Sequence, residues 1–549
     1  MAGIAALIYA LLAVVLTWPL ASDLCRLGVP NPDYYGNTWV LAWVTRQLGR
    51  DPLRLFDSNI YWPLPKSLVY NESLIPQALM VAPVRWLGGP PVLAHNLALL
   101  GTFPLCGWAA FRLARELGAS SGGAFLTGLG FAFCPYRFKW MNNVQCLSIQ
   151  WLPLVIQYLV RVARSARPLD VALLFLTAWL QALSSAYFGL LLVPALLTVG
   201  LWLVPERPSW RRLATAFLAL AAAAAVTAAI FFPYLSLQRH DHVDRGLAEW
   251  AHWSARPSAY LDPGRYVGLP HLVWLRERFA GFEPLYAGAI FLGLAAFGAW
   301  SLTRSRPGHL AMALALVGAL LSFGPEIGLL GVKLPGLLTM LRGLPGVAML
   351  RTPSRLGVLA LLGVALLAGL SWSAVEARWP RFRPGVLALA GLAALEAYPV
   401  GLGGVIRPLE LPPASGAWLA DAAPGPVLEL PWTGFDEAAL YVFWSTSHWQ
   451  PLVDGWGSYQ PRGAGFGLGL LGNRFPSEYS SRVFRERGIV YVVVHLDRVR
   501  PGQRERVLKP GPLPEGVELA AVFGDDRIYR LALWTGPAPA NGAGEEVEP

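Results

Sequence analysis

Three acidic residues follow the first apolar stretch of the chain, and they are its candidates for proton transfer. Asp33 lies in GVPNPDYYGNTWVLAWV, Asp57 in LFDSNIYWPLP and Glu72 in VYNESL. A carboxylate beside apolar surroundings loses hydration, which raises its pKa and suits it to act as a general base. The neighbouring Pro, Asn and Ser residues favour an alternative, in which Asp33 and Asp57 only cap turns or helices. Both interpretations stay open, and Asp33 is the first candidate for catalysis.

Basic residues in the connections between apolar stretches form a second group. Guanidinium groups bind phosphate through two parallel hydrogen bonds, so these residues could hold a phosphate-bearing ligand. The alternative is ion pairing with loop carboxylates such as Asp241, Asp244, Glu277 or Glu283. The two interpretations weigh evenly for Arg351, and pairing is favoured for the rest. The group comprises Arg137 and Lys139 in CPYRFKW, Arg239, Arg265, and Arg351 and Arg355 in MLRTPSR.

Other well-known chemical signatures do not occur in the sequence. There is no G-x-S-x-G elbow, P-loop or HExxH motif. The four cysteines form no CxxC pair and have no accompanying His cluster, so a zinc site is not expected. We expect no cofactor, and nothing in the sequence indicates a divalent metal.

The composition is that of an integral membrane protein. Hydrophobic residues make up 55% of the 549 residues and charged residues only 14%, against about 25% in a typical soluble domain. The net charge of +10 would suit a nucleic-acid-binding protein, but the arginines sit in short clusters between apolar runs. Because such clusters mark membrane orientation, we expect a lipid bilayer as partner and no nucleic acid.

The apolar runs predict a mainly α-helical, polytopic transmembrane bundle with about eleven spans. The first run, MAGIAALIYALLAVVLTWPLASD, lacks a charged n-region and is interpreted as a retained helix. Five short basic connections fall on one side, which predicts a cytoplasmic N-terminus and an extracytoplasmic C-terminal region. The runs are near 3–21, 92–111, 119–136, 147–160, 169–186, 188–204, 213–233, 285–303, 308–330, 356–375 and 384–402.

The remaining sequence divides into long outer connections and a C-terminal domain. The transmembrane domain is predicted over 1–402, with outer loops at 22–91, 234–284 and 331–355. Short β-like runs such as PVLELP and IVYVVVHL alternate with Gly/Pro turns and predict a small α/β domain over 403–536. The tail, residues 537–549, has the composition of a disordered segment.

Several stretches resemble bacterial GT-C membrane glycosyltransferases, in particular the RgtA/B/C/D-like and dolichyl-phosphate-mannose-type mannosyltransferases. The likeness covers nearly the whole chain and rests on the following segments: DYYGNTWVLAWV, LFDSNIYWPLPKSLVYNESL, PVLAHNLALL, FAFCPYRFKWMNNVQCLSIQWLPL, LPGVAMLRTPSRLGVLALLGVALLAG, ALYVFWSTSHWQPLVDGWGSYQP and RGIVYVVVHLDR. The resemblance implies an enzyme of the bacterial plasma membrane that takes a sugar from a polyprenyl-phosphate carrier and passes it to an extracytoplasmic acceptor.

The resemblance also implies roles for particular residues. Asp33 matches the acidic residue that the family carries after its first helix and would deprotonate the acceptor hydroxyl. The family's common paired acid is absent, because Tyr34 and Tyr35 follow Asp33. Arg351 or Arg137 would hold the carrier phosphate, with Lys139 and Arg265 as further candidate phosphate ligands. Glu72 and Asp57 would orient sugar or acceptor, and Tyr34, Tyr35, Trp39 and Trp62 could stack on pyranose faces or anchor the loop in lipid headgroups.

A function of another class fits the same topology, namely a non-catalytic transporter or envelope-assembly factor that binds lipid-linked glycans. Transporters tend to show internal repeats and ionisable residues within their spans. The sequence has no convincing repeat and few charges within its apolar runs, which favours chemistry at the membrane surface.

Overall fold

The structure, a computed structural model, describes residues 1–234, 245–329, 332–343, 347–432, 434–461, 468, 471–508 and 512–534. The candidates Arg239, Asp241 and Asp244, and the predicted tail 537–549, lie outside these residues. The chain divides into two compact units. We call Met1–Pro30 with Glu72–Leu409 the helical unit, and Asn31–Asn71 with Glu410–Pro549 the sheet unit.

The helical unit consists of α-helices and two short antiparallel strand pairs. The strand Leu27–Gly28 pairs with Arg407–Pro408, and Glu326–Leu329 pairs with Val332–Pro335. The helices are Ala2–Leu16, Ile75–Trp86, Pro91–Glu116, Ser121–Ala132, Pro135–Lys139, Val144–Leu147, Trp151–Ser165, Pro168–Ser184, Ala186–Leu203, Trp210–Ile230, Leu247–His252, Pro270–Phe279, Ala289–Ser301, Arg306–Ser322, Leu337–Met340, Val358–Arg378 and Gly385–Ala397.

Each of the eleven predicted apolar runs overlaps a helix, and six helical stretches of the described chain are long and apolar enough to cross a membrane. Four further apolar helices are shorter. The prediction of a mainly helical, multi-pass membrane protein is therefore confirmed, whereas the count of about eleven spans stays a prediction. The six stretches are Pro91–Glu116, Val144–Ser165, Ala186–Glu206, Trp210–Ile230, Pro353–Arg378 and Gly385–Gly404.

Glycines bring two of these helices into backbone contact. A Cβ added to Gly318 would lie 2.2 Å from the Ala360 nitrogen, and one added to Gly363 would lie 2.4 Å from the Ala315 nitrogen. Helices in a membrane associate through such close packing, because lipid tails are as apolar as the side chains. The helices Arg306–Ser322 and Val358–Arg378 are thus joined at a seam that larger side chains would open.

Ion pairs join the basic connections at one end of the helical unit. Arg161 Nε lies 2.6 Å from the Glu116 carboxylate, and Arg164 lies 3.1 Å from Glu206. Arg306 pairs with the same Glu206 at 3.5 Å. These contacts bring four of the five basic connections, those at 112–116, 161–167, 206–212 and 304–306, to one end of the bundle. A common side for these clusters is what the positive-inside pattern requires, and their cytoplasmic location remains a prediction.

The sheet unit contains a four-stranded sheet in the order Val427–Leu430, Tyr491–His495, Asp526–Leu531 and Val517–Phe523. The first pair is parallel and the other two pairs are antiparallel. Its described helices are Pro32–Arg50, Ser415–Asp421, Phe435–Trp444, Glu478–Glu486 and Pro501–Leu508. The core under the sheet includes the buried residues Leu428, Val492, Val494, Phe475 and Phe484.

The segment Asn31–Asn71 groups with the C-terminal residues rather than with the helices around it. Sequence analysis assigned it to an outer loop of the transmembrane domain, with the domain boundary near residue 403. In the structure it begins with the helix Pro32–Arg50, which Asn31 caps by accepting the Tyr34 backbone N–H at 2.9 Å. The contacts that define this grouping join residues nearly 400 positions apart, such as Asn59 and Gln450.

Candidate functional site

A break between two helices of the helical unit holds the Glu72 carboxylate. The helices Pro168–Ser184 and Ala186–Leu203 meet at Ser185, whose backbone is extended. The Ser185 hydroxyl and the Ala186 backbone N–H donate to Glu72 Oε1 at 3.1 and 2.9 Å. The free N–H groups of a helix start favour an anion, so the break fixes Glu72 at this place.

The surroundings of Glu72 suit it to proton transfer. Burial is the largest influence and raises the pKa of this carboxyl. The Ala186 N–H, the Arg355 charge and the Ser185 hydroxyl lower the pKa but do not reverse the direction. A carboxyl with a raised pKa, lying near an arginine, is a typical functional-site feature. Glu72 is therefore the best-defined acid or base candidate of the helical unit.

Tyr187, two residues beyond the break, connects it to the segment that carries the arginines. Its hydroxyl accepts the backbone N–H groups of Arg351 and Thr352 at 2.9 and 3.1 Å. This segment leads directly into the apolar helical stretch Pro353–Arg378. Ser185, Ala186 and Tyr187 thus hold Glu72 on one side and the arginine segment on the other.

Arg355 lies between two aromatic rings. Its guanidinium carbon is 4.5 Å from the Trp140 ring centre and 4.8 Å from the Tyr187 ring centre. Its buried Nε has no hydrogen-bond acceptor among the described residues. A guanidinium is always charged and carries five N–H donors in a planar fork. Arg355 is therefore held rigidly by ring contacts while it keeps hydrogen-bonding capacity for an anionic ligand.

Glu283 orients one of these rings. Its carboxylate accepts the Trp140 indole N–H at 2.6 Å and the Ser354 hydroxyl at 3.4 Å. The residue is 2% exposed and also pairs with Lys139 at 3.4 Å. Burial lowers the pKa of Lys139, and the Glu283 charge opposes that effect. Glu283 is thus a positioning residue for Trp140 and Arg355.

The site lies about one membrane thickness from the basic end of the bundle. The stretch Ala186–Glu206 starts beside Glu72 and ends at Glu206, which pairs with Arg164 and Arg306. Its 21 residues give a length of about 30 Å at about 1.5 Å per residue. A bilayer core has about the same thickness, so the site and the basic clusters occupy opposite membrane surfaces if this helix crosses the bilayer.

The other cations named from the sequence have partners within the protein. Arg351 is half-exposed, pairs with Glu249 at 3.4 Å and lies 5.0 Å from the Trp253 ring centre. Lys139 is paired with Glu283 and donates to the Phe282 carbonyl. Both cations thus form ion pairs in the structure, Arg351 remains accessible, and phosphate binding by either stays a prediction.

Arg137 and Arg265 lie in contrasting environments. Arg137 is 0% exposed and donates to Thr102 Oγ1 at 2.8 Å and to the Leu147 carbonyl at 3.0 Å. Its burial contradicts the prediction that it faces outward to hold a phosphate, because the surrounding helices enclose its guanidinium. Arg265 is exposed, with its guanidinium 4.9 Å from the Tyr266 ring centre.

The two remaining acidic candidates belong to the sheet unit. Asp33 is partly buried in the first turn of the helix Pro32–Arg50. Asp57 is exposed and accepts the Lys66 backbone N–H at 3.0 Å. This contact agrees with the alternative that Asp57 caps a turn. Asp33 keeps its proposed catalytic role on the strength of its position in the chain.

The aromatic residues beside Asp33 belong to the interior of the sheet unit. Tyr34 and Trp39 are 1% and 0% exposed, and the Trp39 indole N–H donates to Asn59 at 3.0 Å. The Tyr35 hydroxyl accepts the Glu410 backbone N–H at 3.2 Å. The burial of these three rings contradicts the prediction that they stack on a sugar or sit in headgroups. Trp62 is only partly buried and lines a cleft of the same unit.

The sequence gives little indication of the roles of Arg355 and Glu283. In the sequence, Arg355 is a neighbour of Arg351, and Glu283 is a candidate only for ion pairing. The sequence signal for Arg355 is its position at the start of a strongly apolar run. A charged side chain is costly there and usually has a functional role. Within the described residues, no group of three His, Cys, Asp or Glu side chains is placed to hold a metal ion.

Comparison with known proteins shows a likeness of fold to a solved arabinofuranosyltransferase. No protein-family model and no curated protein matches the sequence. The cryo-EM structure of arabinofuranosyltransferase AftD from Mycobacteria matches with a TM-score of 0.63 and 17% identity, over 96% of this chain and 40% of that chain. A mutant AftD structure matches with a TM-score of 0.61 and 18% identity, over 96% and 41%.

The oligosaccharyltransferase of Archaeoglobus fulgidus matches more weakly, with a TM-score of 0.49 and 14% identity over 90% of this chain and 69% of that chain. This chain spans about two fifths of the length of AftD. The likeness to AftD agrees with the resemblance seen in the sequence. The chain therefore shares its fold with AftD.

Proposed function

We propose that the protein is a membrane glycosyltransferase that takes a sugar from a polyprenyl-phosphate carrier and passes it to an acceptor on the extracytoplasmic side of a bacterial plasma membrane. The observation that carries this proposal is Arg355, whose guanidinium is held between Trp140 and Tyr187 with an unpaired Nε among the described residues. A phosphate diester at the start of an apolar helix is a ligand that such a group suits.

The proposed donor explains why the site needs a fixed positive charge. When the bond between the anomeric carbon and the carrier oxygen breaks, negative charge collects on the departing phosphate. A preorganised donor aimed at developing charge typically contributes about 2.7–4 kcal/mol to the transition state. Arg355 is positioned for that task, and Arg351 is close to it in the chain and accessible. The carrier phosphate leaves already ionised and needs little acid assistance.

The second requirement is a base that accepts the proton of the acceptor hydroxyl as its oxygen attacks the anomeric carbon. We keep Asp33 in this role because of its position after the first helix, as the resemblance implies. Glu72, with its raised pKa and its closeness to Arg355, is the second candidate and would otherwise orient the sugar. Asp57 is proposed to help orient the acceptor.

The direct test supplies purified protein in lipid nanodiscs with a panel of polyprenyl-phosphate pentoses and hexoses, together with a cell-envelope glycan as acceptor, and measures release of carrier phosphate. We expect release with at least one donor. Asp33→Asn and Glu72→Gln separate the two base candidates, because only loss of the true base should abolish turnover while donor binding persists. A protein that binds or moves the donor but never releases carrier phosphate would be the non-catalytic transporter or assembly factor.

A further inference from the structure

An open cleft in the sheet unit brings together arginines and tryptophans that the proposed transfer reaction does not use. The cleft has a volume of about 730 Å³, including the solvent at its mouth. One wall is a face of the helix Pro32–Arg50, with Trp43, Arg46 and Arg50 spaced three and four residues apart. Asp57, Trp62 and Trp449 come from two other segments of the same unit.

The tryptophans form a rigid aromatic wall. The Trp43 indole N–H donates to the Leu55 carbonyl at 2.9 Å, and its ring centre lies 5.8 Å from that of Trp449. Trp449 has a φ of 58°, a left-handed conformation that is unfavourable for a bulky residue. Its backbone N–H is held by the Ser445 carbonyl at 2.7 Å. Such backbone strain persists where the surrounding structure fixes it, and it is concentrated at binding sites.

The arginines add positive charge to this wall. The Arg46 guanidinium carbon is 4.9 Å from the Trp449 ring centre. Burial is the larger reason why the pKa of Arg46 falls to about 10, and the charge of Arg50 lowers it further. Within the described residues, no carboxylate lies within 4.0 Å of either guanidinium. Two like charges one helical turn apart repel each other, and a bound anion would relieve that repulsion.

We propose that this cleft binds a saccharide that carries a negative charge. A sugar ring stacks on the exposed parts of Trp62 and Trp449, while its carboxylate or phosphate is held by Arg46 and Arg50. The proposal does not rest on the transfer reaction, because that reaction gives no role to Arg46, Arg50 or Trp449.

Matched probes test this binding. Full-length protein in nanodiscs is titrated with a trisaccharide of galacturonic acid, with the fully methyl-esterified form of the same trisaccharide, and with galactose 1-phosphate. We expect the acid to bind at least tenfold more tightly than its ester. Tighter binding of galactose 1-phosphate than of the acid would assign the charge to phosphate. Equal affinity for all three probes, or no binding of either acidic probe at about 10 mM, ten times a Kd of 1 mM, would overturn the proposal.

Variants separate the charge contribution from the ring contribution. Arg46→Gln and Arg50→Gln should each weaken binding of the better acidic probe about tenfold, and Trp449→Ala should abolish it. Arg54→Gln is the matched control, because Arg54 lies in the same unit outside the cleft with its side chain 75% exposed. Arg50 is exposed, so its replacement leaves the fold intact. Unchanged affinity in Arg50→Gln and Arg46→Gln, or equal competition by glycerol 1-phosphate, which has no ring to stack, would contradict the proposal.

Discussion

The Glu283 carboxylate accepts the Trp140 indole N–H at 2.6 Å, and the same ring then forms one wall of the Arg355 site at 4.5 Å. The two residues are 143 positions apart in the chain. Through this single hydrogen bond, a buried carboxylate in one connection determines how an arginine in another connection is presented. Several consequences of this arrangement can be measured.

Replacing Glu283 by Ala should destabilise the helical unit. The change leaves the Trp140 N–H without its acceptor and Lys139 without its carboxylate partner, and an unsatisfied buried polar group costs about 1–3 kcal/mol. Thermal unfolding in detergent should show a lower Tm. Glu283→Gln keeps an acceptor oxygen for Trp140 and should lose less. Equal Tm values for Glu283→Ala and the parent protein would show that the Trp140 contact contributes nothing.

Replacing Tyr187 by Phe should impair the site more than the fold. The ring that faces Arg355 is retained, but the hydroxyl that accepts the N–H groups of Arg351 and Thr352 is lost. One such hydrogen bond is worth about 1 kcal/mol, so the Tm should fall only slightly. We expect kcat/KM for the donor to fall about tenfold because the arginine segment is no longer fixed. A loss of Tm without a loss of kcat/KM would assign Tyr187 a structural role alone.

The glycine seam between Arg306–Ser322 and Val358–Arg378 leaves no room for a side chain at Gly318 or Gly363. In Gly363→Ala, the new Cβ would lie 2.4 Å from the Ala315 nitrogen, so the helices must separate and the Tm should fall clearly. Gly293→Ala is the matched control, because a Cβ there meets nothing within 4 Å. Since Ala favours a helix over Gly by about 1 kcal/mol, the control should be neutral or slightly stabilising. Similar Tm values for the two variants would contradict the close packing of this seam.

His495 makes the stability of the sheet unit depend on pH. Its ring nitrogens bond Asp526 at 2.7 Å and Glu429 at 2.8 Å within the core. Burial, the largest single influence, lowers the pKa of His495, but the bonds to Asp526 and Glu429 raise it to about 9. The charged ring should therefore stabilise the unit fully below the unfolded pKa of about 6.5. This stabilisation, about 3 kcal/mol, is lost as pH rises through 9.

Unfolding of the sheet unit followed from pH 6 to pH 10 checks this prediction. The transition should move to lower temperature as pH rises, and His495→Gln should remove most of that dependence. A transition that stays constant over this pH range in the parent protein would show that His495 is neutral in the folded state.

The sequence predicts the helices well because a spanning helix is a local feature, a run of about 20 apolar residues. Each predicted apolar run overlaps a helix, and the strand-like run IVYVVVHL contains the buried strand Tyr491–His495. The likeness of fold to AftD agrees with the family resemblance that segments such as DYYGNTWVLAWV carry. Features that depend on distant contacts are not visible in this way. The grouping of Asn31–Asn71 with the C-terminal region depends on contacts such as Asn71 with Trp456, which are 385 positions apart.

The candidate site was predicted only in part, for the same reason. Glu72 was named, but its hydrogen bonds come from Ser185 and Ala186, more than 100 positions away. In the sequence, Arg137 lies between Tyr136 and Phe138, whereas Arg355 lies between Ser354 and Leu356. Only three-dimensional packing shows that Arg137 is fully enclosed among the helices, whereas Arg355 is partly buried beside the rings of Trp140 and Tyr187.

The most direct test of the central claim is kcat/KM for release of carrier phosphate, compared between the parent protein, Arg355→Gln, Arg355→Lys and the exposed control Arg278→Gln. We expect kcat/KM to fall about 10²–10³-fold for Arg355→Gln, to fall less for Arg355→Lys, which keeps the charge but not the planar fork, and to stay unchanged for the control. Release by Arg355→Gln at the rate of the parent protein would show that Arg355 does not stabilise the departing phosphate.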